Sequence, residues 1–175
     1  MKILIVVDMQ HDFVYGSLGT PEAASIVDNV RQKVSEYIAG GNKVFYTKDT
    51  HTSEYLHTQE GRNLPVEHCI KGTPGWDFVD GVYQPGAPVI EKPAFGSLKL
   101  VDILSDFASY NSVDIDEIEL VGLCTDICVL SNAMILKAAF PEVRIKVDGR
   151  CCAGVSPESH NRALEAMKVC QIEVG

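Results

Sequence analysis

The sequence predicts an α/β fold: a single domain, residues 1–175, of three layers, α/β/α, around a six-stranded parallel sheet. Three observations predict it. Short apolar runs alternate with segments whose apolar residues recur at helical spacing, the pattern of successive βαβ units with right-handed crossovers. The apolar runs are continuous, as in residues 2–7 and 118–123, which suits strands covered on both faces. At 175 residues, 46% hydrophobic and 22% charged, the chain is long enough to enclose a sizeable core and has a globular make-up.

Residues 2–7 form the first expected strand, ending at Asp8. Residues 9–20 read as a loop, with Gly16 and Gly19. Pro21 is well placed to open a helix that turns Ala23, Val27, Val30, Val34 and Ile38 inward, with Ile26 and Tyr37 widening the stripe. Gly40 and Gly41 stop it. A second strand covers 43–47 and ends near Asp49. Residues 48–88 show no long periodic run, and a segment of that length in a compact domain is functional or holds short elements of its own. A third strand, 89–91, ends at Lys92. Leu98, Val101, Leu104 and Phe107 or Ala108 mark a helix. The fourth strand, 118–123, leads at once into a helix carrying Val129, Ala133 and Leu136, with Thr125 or Asp126 expected as its N-cap. Strand 143–147, helix 157–169 and strand 170–174 complete the chain.

A net charge of −9 argues against a nucleic-acid or anionic-membrane partner. The apolar run 3–7 is too short for a signal-peptide core or a membrane span. The chain is therefore read as cytoplasmic, with its six cysteines reduced and its partner a small molecule. No GxGxxG or Walker-type loop is present, so no nucleotide cofactor is expected.

In open parallel sheets, ligands bind beyond the carboxyl ends of the strands. Asp8, Asp49, Lys92 and Cys128 each follow the end of a different strand, so they can converge on one crevice. Cys128 at a helix start is a candidate nucleophile, since free N–H groups and the helix dipole favour a thiolate there. The alternative is an ordinary buried thiol. Asp8 can take the thiol proton and pass it to a leaving group, and Lys92 can stabilise the thiolate. Asp49, His51, His57, Glu60 and His68 offer carboxylate and imidazole ligands for Zn²⁺, Mn²⁺ or Fe²⁺. Cys124, Cys128, Cys151 and Cys152 are a poorer zinc set, because their spacing matches no CxxC pair. Phe13 and Trp76 can wall a pocket for a flat ring or serve as core anchors.

Five segments in order together resemble the isochorismatase-like cysteine hydrolases, and within them the nicotinamidases. They are Val6-Val7-Asp8-Met9-Gln10-His11-Asp12-Phe13, Lys48-Asp49-Thr50-His51, the histidine segment 65–73, Lys92-Pro93-Ala94-Phe95, and Gly122-Leu123-Cys124-Thr125-Asp126-Ile127-Cys128-Val129. The resemblance spans essentially the whole chain. It implies a catalytic triad of Asp8, Lys92 and Cys128. It implies a cis peptide between Leu123 and Cys124 that turns the Cys124 and Cys128 N–H groups toward an oxyanion. It implies a metal, zinc or else manganese or iron, on Asp49, His51 and His68. Glu60 and His57 compete for a fourth place, with Glu60 preferred. Family habit also implies a homo-oligomer.

Two departures bear on the substrate. Leu64 stands where many nicotinamidases carry an aromatic residue, and an extra residue separates Pro65 from His68. Phe13 and Leu64 are the expected substrate contacts. The reaction implied is hydrolysis of nicotinamide to nicotinate and ammonia through a Cys128 thioester. Two other readings stand beside it: an amidase for a different small amide or carbamoyl group, and a catalytically silent regulatory or assembly subunit.

Overall fold

In the computed structural model, which describes residues 1–175, β1 (Lys2–Val7) is a central strand of one sheet. Along the chain follow α1 (His11–Val14), α2 (Pro21–Ser25), α3 (Val27–Ala39), β2 (Lys43–Asp49), α4 (Gln59–Asn63), β3 (Val89–Lys92) and α5 (Leu98–Asn111). Then come β4 (Glu117–Leu123), α6 (Leu130–Ala139), β5 (Arg144–Ala153), α7 (Pro157–Val169) and β6 (Glu173–Val174). The six strands are all parallel, in the order β3-β2-β1-β4-β5-β6. No helix is long and apolar enough to cross a membrane.

Residues 3–7 of β1 are fully buried. Leu4 and Val6 pack with Val27, Val30, Val34 and Tyr37 of α2–α3 and their surroundings on one face. Ile3, Ile5 and Val7 pack with Leu100, Leu104, Ala133, Leu136, Ala163 and Met167 of α5, α6 and α7 on the other. Each Val, Leu, Ile or Met among them contributes about 1.5–3 kcal/mol by leaving water. The residue that follows β1, Asp8, is therefore mounted on one of the most firmly held strands.

The chain leaves β1 for β2 in one direction and runs through β4, β5 and β6 in the other. The strand order reverses between β1 and β4, and a crevice opens beyond their carboxyl ends. The backbones are very close there. A Cβ on Gly122 would lie 2.1 Å from the Val7 carbonyl oxygen, and its φ of +113° is open only to glycine.

Five elements differ from the sequence reading. The loop expected at 9–20 holds α1, His11–Val14. The helix expected from Pro21 to Ile38 is two, bent at Ile26; the Ser25 hydroxyl donates to the Glu22 carbonyl, a local bond that competes with the helix ladder. The strand expected at 143–147 runs on to Ala153, through an irregularity in its pairing with β4 between Leu120 and Gly122. The last strand shrinks to Glu173–Val174. The segment 48–88 holds α4 and two short 3₁₀ turns, Tyr55–His57 and Pro74–Trp76.

Candidate active site

Asp8 leaves β1 in the left-handed region, with φ of +47°, and its carboxylate is fully buried. Its Oδ1 accepts from the Thr47 hydroxyl at 2.7 Å, and its Oδ2 lies 2.6 Å from Lys92 Nζ. Lys92, at the end of β3, has no exposed side-chain surface. Its ammonium also lies 3.3 Å from Asp49 Oδ1, donates to the Ala94 carbonyl at 3.1 Å and stands 3.4 Å from Cys128 Sγ. Strand pairing sets this meeting, because Asp49 and Lys92 are partners across β2 and β3.

The Leu123–Cys124 peptide is cis, as the resemblance implied. The first turn after it differs from the expectation. Residues Thr125–Val129 form a π-helical turn, with the Val129 N–H donating to the Cys124 carbonyl and the Leu130 N–H to the Thr125 carbonyl. Neither Thr125 nor Asp126 caps it. The Thr125 hydroxyl pairs with His160 Nδ1 at 2.8 Å, and the Asp126 carboxylate accepts from the Val155 N–H and the Ser159 hydroxyl. Cys128 lies inside this turn, 5% exposed.

The electrostatics also depart from the expectation of a depressed thiol pKa. Burial pushes the Cys128 thiol well above its ordinary value, and the Asp8 charge adds to this, while Lys92 opposes it. Burial likewise raises the Asp8 carboxyl despite Lys92. For Lys92 burial acts downward, but Asp8, Cys128 and Asp49 outweigh it and hold the ammonium charged. Cys124 is pushed up to about 12, chiefly by burial.

Beside the thiol, the ligand atoms of Asp49, His51 and His68 all lie within 4.8 Å of one another, and all three residues are buried. His51 Nε2 is 2.9 Å and His68 Nε2 3.5 Å from Asp49 Oδ2. Glu60 Oε1 stands 3.8 Å and 3.7 Å from the same two nitrogens. His57 is exposed in its 3₁₀ turn and makes no such approach. His68 Nδ1 bonds to the Val66 carbonyl at 2.8 Å, which leaves Nε2 free to face the cluster. Burial pushes Asp49 up, but bonds from His51 and His68 and the Lys92 charge hold it well below the usual carboxylate range. Two imidazoles and two carboxylates around one point fit a divalent transition metal. The four cysteines considered as a rival set form no such group.

A largely apolar cavity of about 160 Å³, open to solvent, joins the two clusters. Phe13, Leu64, Phe95 and Val155 are among its walls, and Asp49, His68, Cys124 and Cys128 also line it. Phe13 packs against the His68 ring at 5.5 Å. Trp76 lies elsewhere. Its indole N–H donates to Thr50 and its ring sits under the Lys48 ammonium at 3.2 Å, an outer brace of the loop.

Three supporting residues escaped the sequence reading. Gln10 spans the strand ends, donating to the Asp49 carbonyl at 2.9 Å and accepting from the Asp49 N–H at 2.7 Å. Thr47 holds Asp8. Asn132, fully buried on α6, donates to the Cys128 carbonyl at 2.8 Å and accepts from the Ser97 N–H at 3.0 Å. A lone amide among inward-facing apolar positions, four residues after the cysteine, was the available signal for it.

The isochorismatase domain family model matches residues 2–174. The chain is 31% identical over 193 residues to the nicotinamidase/pyrazinamidase of Mycobacterium tuberculosis, covering 99% of this chain and 98% of that protein. Its structure resembles the zinc complex of Pyrococcus horikoshii pyrazinamidase, with a TM-score of 0.84, 29% identity, and 99% and 98% of the two chains covered. It also resembles N-carbamoylsarcosine amidase from Thermoplasma acidophilum, with a TM-score of 0.79, 28% identity, and 99% and 94% covered.

Proposed function

This chain belongs to the isochorismatase family, and we propose that within it the protein is a metal-containing nicotinamidase. As an amide-bond hydrolase it needs a nucleophile, a proton carrier and a place for the oxyanion. The observation that carries the reading is the buried chain from Asp8 through Lys92 to Cys128, opening on a cavity that Asp49 and His68 also line.

Cys128 Sγ attacks the carboxamide carbon as its proton passes to Asp8. The backbone N–H groups of Cys124 and Cys128 hold the oxygen as it becomes negative. The C–N bond breaks, and ammonia leaves with the proton that Asp8 held. Asp8 then takes a proton from water, whose oxygen adds to the thioester; the C–S bond breaks, the departing sulfur takes that proton back from Asp8, and nicotinate leaves with the acid's remaining proton lost to solvent. Lys92 keeps its charge throughout and orients Asp8. Asp49, His51, His68 and Glu60 would hold the metal, which when bound supplies a Lewis acid for the pyridine nitrogen of the substrate. Phe13 and Leu64 flank the ring, and the small size of Leu64 leaves that wall open.

The test is kcat/KM for nicotinamide, pyrazinamide and benzamide, with the metal present and removed. Benzamide has the same shape but no ring nitrogen. The loaded protein should prefer the two heterocycles by roughly a hundredfold, the scale on which orientation alone acts, and metal removal should erase most of that preference. Equal rates on nicotinamide and benzamide would exclude a nicotinamidase. They would favour an amidase for another small amide or carbamoyl group, the reading that the similarity to N-carbamoylsarcosine amidase supports.

A further inference from the structure

The first turn of α7 grips both the nucleophile turn and one wall of the cavity. Ser156 caps α7 by accepting the Ser159 N–H at 3.2 Å, and the Ser159 hydroxyl accepts the Ser156 N–H in return. This locked turn reaches Asp126 through the Ser159 hydroxyl, and Asp126 also takes the N–H of Val155, a wall residue. Gly154, the next wall residue, packs so closely that a Cβ there would lie 2.9 Å from the His160 nitrogen. One residue before Asp126, the fully buried Thr125 meets His160 Nδ1 at 2.8 Å. The Thr125 carbonyl in turn accepts the Leu130 N–H that closes the π turn around Cys128.

We propose that His160 is a positioning residue for Cys128, acting through the Thr125 hydroxyl. It rests on the reading of Cys128 as the nucleophile. The neutral ring shares one hydrogen bond between Nδ1 and the Thr125 hydroxyl, which fixes the residue on which the turn closes. Burial lowers the His160 pKa below the ordinary value, against the Asp126 charge, which keeps that form present at neutral pH. Released from His160, the turn would keep its backbone bonds but lose its rotational hold, and the sulfur would stray from the line of attack.

The experiment compares His160→Leu with His160→Asn, whose Oδ1 can stand where Nδ1 stood. It reads steady-state hydrolysis of nicotinamide by the metal-loaded enzyme and, separately, the rate at which iodoacetamide alkylates Cys128 in a Cys170→Ala background. His160→Leu should lower kcat about ten- to a hundredfold, the range expected for a misplaced reacting group, with KM within roughly twofold. Alkylation should slow as well, and His160→Asn should recover most of both rates. Thr125→Val should repeat the loss, and the double variant Thr125→Val/His160→Leu should lose no more than either single change. Wild-type kcat and alkylation in His160→Leu, equal losses in Leu and Asn, or additive losses in the double variant would each overturn the proposal. Should His160→Leu fail to fold, Thr125→Val against Thr125→Ser decides: a loss only in Val supports it, and equal rates overturn it. A wild-type protein inert on nicotinamide would end the nicotinamidase reading instead, and the alkylation rates would still decide this one.

Discussion

Lys92 and Asp8 pull the Cys128 thiol in opposite directions, so replacing each should move its reactivity oppositely while both replacements end turnover. The Lys92 ammonium stands 3.4 Å from Sγ. At an effective dielectric constant of about 20 that is an attraction of roughly 5 kcal/mol for a thiolate. Lys92→Met removes it. Part of the loss is cushioned, because Asp8 without its partner takes up a proton more readily and stops repelling the sulfur. The thiol still rises on balance, so alkylation of Cys128 at pH 8 should slow about tenfold or more. Asp8→Asn removes the carboxylate that raises the thiol, and alkylation should quicken. Breaking the buried pair costs about 3–5 kcal/mol, and in a chain of this size each kcal/mol lowers Tm by roughly 2–4 °C. Measurements at 25 °C should therefore still find folded protein, which circular dichroism checks. Peptide mapping in a Cys170→Ala background, with fragment spectra that separate Cys128 from the part-exposed Cys124, reads the one thiol. Wild-type alkylation in Lys92→Met, or slower alkylation in Asp8→Asn, would refute the electrostatic argument.

The metal set predicts that His51→Ala loses the ion with the fold kept, and that Glu60→Ala lowers occupancy while His57→Ala does not; elemental analysis of each variant reads this directly. His68 has its pKa raised, burial acting downward but the Asp49 bond and charge prevailing, so metal affinity should begin to weaken on the alkaline side of the ordinary imidazole range. A zinc titration monitored against pH shows whether release starts there. Away from the site, the Asp148 carboxyl is held at about 2, burial acting upward but bonds from Arg150 and Lys33 outweighing it. Its stabilisation is complete above the ordinary value of 3.8 and fades as pH falls toward 2. Allowing for the solvent around Arg150, Asp148→Asn should cost about 1–2 kcal/mol at pH 7, a cost that disappears near pH 2 in thermal melts.

Much of this was legible in the sequence because strands and site share one signal. A continuous apolar run announces a doubly covered strand, and the segment past its end announces the crevice; Asp8, Asp49, Lys92 and Cys128 follow such ends, and the structure brings them together. The metal group was legible as composition, but the choice between Glu60 and His57 was not. It depends on α4 turning Glu60 inward while the 3₁₀ turn leaves His57 in solvent, and both are too short to show periodicity. The capping of the nucleophile helix was misread for a related reason. Thr125 and Asp126 have the side chains of N-caps, yet both are drawn away by α7, about 30 residues on, and no local pattern carries that pull. The extension of β5 to Ala153 escaped because its interruption, Asp148-Gly149-Arg150, is polar and reads as a turn.

At Cys128 burial outweighs the helix start, so the thiol shifts up where the helix start alone would lower it. A helix start favours a nearby anion by about 0.3–1 kcal/mol, and up to about 2 in a partly buried setting. Burying a group completely moves its pKa by up to three to five units, about 4–7 kcal/mol, toward the neutral form. Cys128 is nearly inaccessible and faces a buried carboxylate, so the dipole loses. A permanently charged thiolate is therefore not what this fold stores. It stores a neutral thiol next to a carboxylate whose own pKa burial has raised, with a lysine held charged beside both. Raising the Asp8 pKa makes it a better proton acceptor, and the same shift lets it return that proton to departing ammonia. In the proposed mechanism, proton transfer and sulfur attack then belong to one step, triggered when a carbonyl reaches the cavity. The lysine, more than the helix end, makes that step affordable in a dry site, and this is why its removal is the sharper test.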